Sequence, residues 1–147
     1  MKLFVPLTLV VICLAGMILL GHYWPVVEFL HAPWTYLGTA AVLAGLYFCG
    51  AGALWLRKKR TTLEPFDEPA RMVTSGVYRY TRNPIYLGFA TALVGVWILL
   101  GALSAGLPVL VFIVVTDHGY IRFEEKVLAR KFGREYEEYR RKTRRWI

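Results

Sequence analysis

Apolar runs long enough to cross a bilayer dominate this chain, and they leave few folds open to it. Residues 3–21, 34–56 and 84–103 contain no Asp, Glu, Lys or Arg, and about 20 helical residues span a hydrocarbon core. A fourth run starts at Leu107-Pro108 and stays apolar to Thr116, where Asp117 and His118 interrupt it. The expected fold is all-α and integral to a membrane, with about four transmembrane helices. The first run is too long for a signal-peptide core, and no small-x-small cleavage site follows it, so it is expected to be a retained helix. A hydrophobic content of 56% and a mean hydropathy of +0.44 agree with this class. One domain, 1–147, is expected, with two membrane helices in 1–60 and a second pair with a polar loop in 61–147.

The net charge of +8 points to nucleic acid only if its distribution is ignored. Every Lys and Arg lies before the first run, between the second and third, or after the fourth, and the turns at 22–33 and 104–106 contain none. Basic residues collect in cytoplasmic loops, so both termini are expected in the cytoplasm and nucleic acid is not an expected partner. Tyr23, Trp24 and Trp34 stand where an interfacial aromatic belt belongs. Cys13 and Cys49 lie inside apolar runs without metal-ligand spacing, so they read as core residues and no metal is expected.

Ala41, Gly45, Cys49 and Ala53 repeat at four-residue spacing in the second run, and Gly88, Ala92 and Gly95 form a similar face in the third. Such faces let helices approach closely; a substrate groove is the alternative. The segment 61–83, with Pro65, Pro69, Glu64, Asp67 and Glu68, is longer than a connection needs, and long loops in compact domains are often functional.

The most informative stretch is 73–88, VTSGVYRYTRNPIYLG. Asn favours the helix N-cap and Pro the first helical position, so Asn83-Pro84 marks the start of the third span. A helix start attracts anions, and Arg79 and Arg82 lie just upstream. The competing reading is an interfacial loop with snorkelling arginines. Farther on, Asp117-His118 and Glu124-Glu125 either end a short span or turn inward on a longer helix, because ionisable groups at membrane depth need a partner or cavity. Leu128, Phe132, Tyr136 and Tyr139 continue at helical spacing, and Glu137 and Glu138 precede Arg141 and Lys142 by four residues, the favourable order for helical ion pairs. Arg144-Arg145-Trp146 suits a membrane surface. A solvated amphipathic helix is the alternative for this whole region.

The order Arg82-Asn83-Pro84-Ile85-Tyr86-Leu87-Gly88, then Glu124-Glu125, then Phe132-Gly133 with Tyr136 and Tyr139, resembles the isoprenylcysteine carboxyl methyltransferase family. That family and the related phospholipid methyltransferases share an Arg-His-Pro-x-Tyr motif followed by a Glu-Glu pair. Pro65-Phe66, Val73-Thr74-x-Gly76-x-Tyr78-Arg79 and Arg145-Trp146 also resemble bacterial members, and the likeness covers roughly 61–147. It implies a bacterial inner-membrane enzyme binding S-adenosylmethionine between the third and fourth helices, beneath a C-terminal amphipathic helix. Asn83, Pro84, Tyr86 and Gly88 then match cofactor-lining positions, and Glu124 and Glu125 match the acidic pair. The cofactor's carboxylate suits a helix start with arginines, its ammonium a carboxylate, and its adenine an aromatic wall such as Tyr86, Tyr136 or Tyr139. Three departures stand out. Asn83 replaces the motif's His, Lys142 occupies a position where Arg is usual, and four spans are fewer than the eukaryotic enzymes have.

Methyl transfer from a sulfonium requires alignment and exclusion of water. A carboxylate acceptor arrives ionised and needs an orienting cation, for which Arg79, Arg82 and Lys142 are candidates. An amine or alcohol acceptor needs a base, and Glu124, His118 or Asp117 would serve. The expected roles are therefore catalytic for Arg82 and Glu124, cofactor-binding for Asn83, Pro84, Tyr86, Gly88, Glu125 and Tyr136, and substrate-binding for Arg79, His118 and Lys142. The expected partners are a lipid-like acceptor and membrane lipids, with no obligate protein partner. The rivals are a phospholipid N-methyltransferase, a membrane reductase, and a non-enzymatic four-helix protein or small transporter. Transporters of this size usually carry a mid-helix acid, which the first two runs lack.

Overall fold

A computed structural model describes residues 4–59 and 71–147; the proline-rich, acidic part of the loop singled out above, 61–70, lies outside the described residues. Among them the secondary structure is helical, with only two isolated β-bridges. The main elements are α1 (Phe4–Tyr23), α2 (Leu37–Lys58), α3 (Pro84–Leu100), α4 (Leu107–Val115), α5 (Arg122–Phe132) and α6 (Arg134–Lys142), with a π-helical turn, Thr116–Ile121, joining α4 to α5. Three helical stretches, Pro6–Tyr23, Trp34–Lys58 and Leu103–Phe132, are long and apolar enough to cross a membrane. The fourth, α3, has 17 residues, a rise of about 25 Å.

α3 is the axis of the molecule, and it ends three residues earlier than the apolar run predicts. Gly101 takes the left-handed conformation (φ 63°), and its N–H reaches the carbonyls of Trp97 and Ile98, which stops the helix at Leu100. On one side α3 meets α2 along a seam of glycines. A Cβ built on Gly45 would lie 2.5 Å from the Gly88 carbonyl oxygen, and one on Gly38 would collide with the Gly95 carbonyl. Absent side chains therefore let the two backbones touch. The small-residue faces are thus packing faces, although on α2 the buried positions are Gly38, Gly45 and Gly52, seven apart, rather than the four-residue series alone.

On its other side α3 meets α1 and α4 through a core of Cys13, Met17, Ala90, Leu93, Ala105, Val109 and Phe112. At the end away from Asn83, the α1–α2 and α3–α4 connections pair with each other. Phe29 N–H donates to Gly101 and Leu103 N–H to Val27, both at 2.9 Å. Exposed Tyr23, Trp24, Trp34 and Tyr36 gather near this end, as an aromatic belt requires.

The fourth apolar run does not stop at Asp117. It continues through the π turn into α5, and Asp117, Glu124 and Glu125 turn inward while His118 and Arg122 stay exposed. An i→i+5 turn absorbs an extra residue and shifts the helical register. Here it coincides with Asp117, whose side chain is only 16% exposed, and with Tyr120, which stacks on Tyr86 of α3. The chain is an integral membrane protein on these spans.

Candidate functional site

The site is assembled where the start of α3, the α5 segment and residues 143–146 converge. Its foundation is a backbone clasp. Thr81 pairs with Arg144 in a parallel bridge, Arg82 N–H donates to the Arg144 carbonyl at 3.0 Å, and the Thr81 hydroxyl donates to the Arg145 carbonyl at 3.1 Å. Asn83 occupies the helix N-cap position as expected, but its side chain does not cap. Its amide Nδ2 donates instead to the Arg145 carbonyl at 3.0 Å, while its backbone N–H donates to Thr81 Oγ1. A second strap lies behind it, where the Tyr139 hydroxyl donates to the Tyr78 carbonyl at 2.6 Å.

On this clasp stands a ladder of charges. Arg145 forks onto Glu125, with Nε to Oε1 at 3.1 Å and Nη2 to Oε2 at 2.7 Å, and its Nη1 reaches both Asp117 oxygens at 3.2 and 3.1 Å. Arg82 Nη2 shares Glu125 Oε1 with Arg145, at 2.9 Å. The Trp146 indole N–H donates to Asp117 Oδ1 at 3.0 Å, and the more exposed Arg122 Nε lies 3.8 Å from Oδ2. Two cations and two anions thus face one another in a shielded place, where charge-assisted pairs are strong and unmatched charges costly. The hydrogen bonds to Glu125 hold Arg145 above its ordinary basicity.

Glu124, beside Glu125, accepts a hydrogen bond from the Tyr86 hydroxyl at 2.6 Å. The Tyr86 and Tyr120 rings lie stacked, 6.4 Å apart with an 18° interplanar angle. Tyr136 is buried to 1% exposure, and burial, with Glu125 adding to it, pushes its hydroxyl up to about 12. That hydroxyl has no partner, and neither do Arg82 Nε and Nη1, although all three atoms are buried. Buried donors are almost always satisfied, so three together mark a place for an acceptor group.

Arg82, Asn83, Tyr86, Glu124, Glu125 and Tyr136 are thus brought together. The other expected site residues lie elsewhere. Gly88 faces α2, where an added Cβ would meet Cys49 Sγ at 2.5 Å, and Pro84 packs beside Gly52. Arg79 and Lys142 are exposed. His118 is exposed too, with Nδ1 at 3.1 Å from the Val114 carbonyl and Nε2 at 3.2 Å from Arg122 Nη2. Sequence reasoning assigned no site role to Thr81, Tyr120, Arg145 or Trp146 and weighed Asp117 only as a base. The available signals were an acid inside an apolar run and an Arg-Trp pair after an amphipathic helix.

The geometry fits S-adenosylmethionine. Its carboxylate would accept from Arg82 and Tyr136, its ammonium would face Glu124, and the stacked Tyr86 and Tyr120 offer a wall for adenine.

A family model described as phospholipid methyltransferase matches residues 33–135. The chain is 36% identical over 81 residues to a probable protein-S-isoprenylcysteine O-methyltransferase of Oryza sativa subsp. indica, covering 53% of this chain and 41% of the rice protein. It is 37% identical over 72 residues to the protein-S-isoprenylcysteine O-methyltransferase of Schizosaccharomyces pombe, covering 49% of this chain and 30% of that protein. A Haemophilus influenzae protein, named only as uncharacterized, is 40% identical over 63 residues, which are 43% of this chain and the whole of that protein. The chain therefore spans less than half the length of the two relatives named as methyltransferases.

Proposed function

Since the chain belongs to the phospholipid methyltransferase family, with isoprenylcysteine carboxyl methyltransferases among its relatives, we propose that it transfers a methyl group from S-adenosylmethionine to a carboxylate on a lipid-like, prenyl-cysteine-like acceptor. The observation that carries this reading is the free edge of Arg82, two buried unpartnered nitrogens, with the unpartnered Tyr136 hydroxyl within reach of the Arg82 charge. Arg82, its head group buried, serves the cofactor's carboxylate in this reading, which leaves the exposed Arg79 and Lys142 to orient the acceptor's. When bound, the cofactor supplies a methyl group on a sulfonium sulfur, open to in-line displacement. The chain's own residues bind, align and keep water out. Glu125 fixes the Arg82 fork, and Tyr86 holds one oxygen of Glu124.

A carboxylate acceptor needs no proton removed, so no general base is required. The family description supports a second reading, N-methylation of a phospholipid amine. There Glu124, hydrogen-bonded to Tyr86 at the same site, would take the acceptor's proton. We place the site at the cytoplasmic face of a four-span arrangement with both termini cytoplasmic. In the fold, each described Lys and Arg belongs to the end of the bundle that carries Asn83.

The test is the affinity for S-adenosylhomocysteine of detergent-solubilised protein. Arg82→Gln and Glu124→Gln each remove a charge-assisted hydrogen bond of about 1.5–3 kcal/mol, which weakens binding roughly 10- to 150-fold. Binding equal to wild type in both variants overturns the assignment of this site. Transfer of label from the methyl donor into membrane extracts, with the product identified, then distinguishes ester from methylated amine.

A further inference from the structure

An apolar groove of about 340 Å³ lies against the outer side of the site, lined by Leu87, Ala90, Thr91 and Val94 of α3, Ile113 of α4, and Trp146. Its size is within the roughly 300–1,000 Å³ usual for small-molecule sites. The Thr91 hydroxyl donates to the Leu87 carbonyl at 2.8 Å, so the groove offers almost nothing polar to an occupant. Two of its walls are membrane helices and the third is an indole. It also joins the site in sequence at both ends. Leu87 follows Tyr86, and Trp146 follows Arg145.

The position of the indole wall is set by the charge ladder. Trp146 Nε1 donates to Asp117 Oδ1, Arg145 grips Asp117 and Glu125, and Glu125 grips Arg82. We propose that Trp146 is a specificity-determining residue for the apolar chain of the methyl acceptor, and that Arg145 is the positioning residue that sets its ring against α3. This rests on the reading above, in which Arg82 lies at the cofactor site. Trp146 belongs to both, its ring lining the groove and its indole N–H held by Asp117 of the ladder, which argues for the acceptor's chain as occupant rather than a second protein.

The physics says what kind of selectivity results. A chain leaving the bilayer for this groove gains little hydrophobic free energy, because lipid tails are already as apolar as the lining. Discrimination must come from close contact with a rigid ring, which is lost wherever a gap opens. Removing the ring should therefore blur the distinction between chains more than it lowers catalysis.

Two N-acetylcysteine acceptors serve as probes, one S-farnesyl and one S-dodecyl, with the protein in nanodiscs. Trp146→Ala should raise the KM of the preferred acceptor about tenfold or more, with a smaller change in kcat, and bring the two acceptors within about twofold of each other. Arg145→Gln should shift the same preference without touching the groove, and Arg145→Lys should restore part of it. A photoactivatable diazirine on the farnesyl chain provides a readout independent of turnover. It should label 87–94 in wild type, be competed by unlabelled S-farnesyl acceptor, and label weakly in Trp146→Ala. Labelling that is uncompeted, or unchanged in Trp146→Ala, overturns the proposal, as does an unaltered chain preference. Competed labelling in a protein that fails to bind S-adenosylhomocysteine upholds the groove and sinks the cofactor reading instead.

Discussion

The glycine seam on one flank of α3 and the charge ladder at its start hold the same helix by opposite means. Along the seam, Gly45 meets the Gly88 backbone, and the contact exists because side chains are missing. At the ladder, Arg82, Glu125, Arg145 and Asp117 complete one another, and the contact exists because every side chain is present. The seam should therefore tolerate no addition and the ladder no subtraction. A binding site benefits from the second arrangement. Charges held by neighbours can leave one edge open, as Arg82 does, whereas a seam of backbones offers nothing to a ligand.

The largest effect is expected from Glu125→Ala. It leaves Arg82 and Arg145, at 9% and 29% exposure, without their shared carboxylate. Breaking one side of a buried pair costs about 3–5 kcal/mol, to be read as a lowered unfolding midpoint in detergent. A loss below about 1 kcal/mol, the range of surface pairs, makes the ladder ornamental and removes the contrast with the seam.

Gly45→Leu should come next. Its first side-chain atom would lie 2.5 Å from the Gly88 oxygen and 2.6 Å from the Ala92 nitrogen, so α2 must move away from α3. Overpacking of this kind costs about 1–3 kcal/mol. Unchanged stability in the same unfolding assay means the helices do not touch there.

These two sites were not equally legible in the sequence. The seam showed itself because helical spacing is local: Gly45 and Cys49, or Gly88, Ala92 and Gly95, lie within a turn or two of each other. Gly38 and Gly52 were less legible because they fall outside the four-residue series 41, 45, 49 and 53. At the ladder, Arg82 and Glu125 could be picked out as charges next to apolar runs. Their partner Arg145 could not, because it reaches Asp117 across 28 residues and Glu125 across 20, and no periodicity records such a pairing. Asn83 shows a different limit. Its residue type marked the helix start correctly, yet its side chain went to Arg145, a competition between acceptors that only the folded backbone decides. Expected pairing was also redirected in α6, where the contact that forms is Glu137–Arg140 at i,i+3 spacing.

A smaller effect, of opposite sign, separates the seam from the rest of α2. Gly50 has no atom within 4 Å of an added Cβ, so Gly50→Ala should stabilise the helix by about 0.5–1 kcal/mol through lost backbone freedom. Destabilisation in the same assay would show that α2 is packed on a second face.

The smallest expected effect concerns the ladder's outer rim, and its smallness is the prediction. His118 Nδ1 lies 3.9 Å from Asp117 Oδ2, but its side chain is 59% exposed and its closer polar contacts are the Val114 carbonyl and Arg122. If the acceptor is a carboxylate, it is ionised above its unperturbed pKa of roughly 4, and no group on the protein has to take a proton. Tyr136, raised to about 12, keeps its hydroxyl proton and stays a donor across the neutral range. With cofactor saturating, single-turnover methyl transfer should therefore be flat from about pH 6 to 9, where acceptor carboxylates stay charged. His118→Gln should match wild type within about twofold, a few tenths of a kcal/mol, while Arg82→Gln falls far below it. An amine acceptor predicts instead a rate that climbs with pH as its proton leaves. A steep rise with pH that disappears in His118→Gln would place the chemistry on the exposed side of Asp117 and overturn the carboxylate reading.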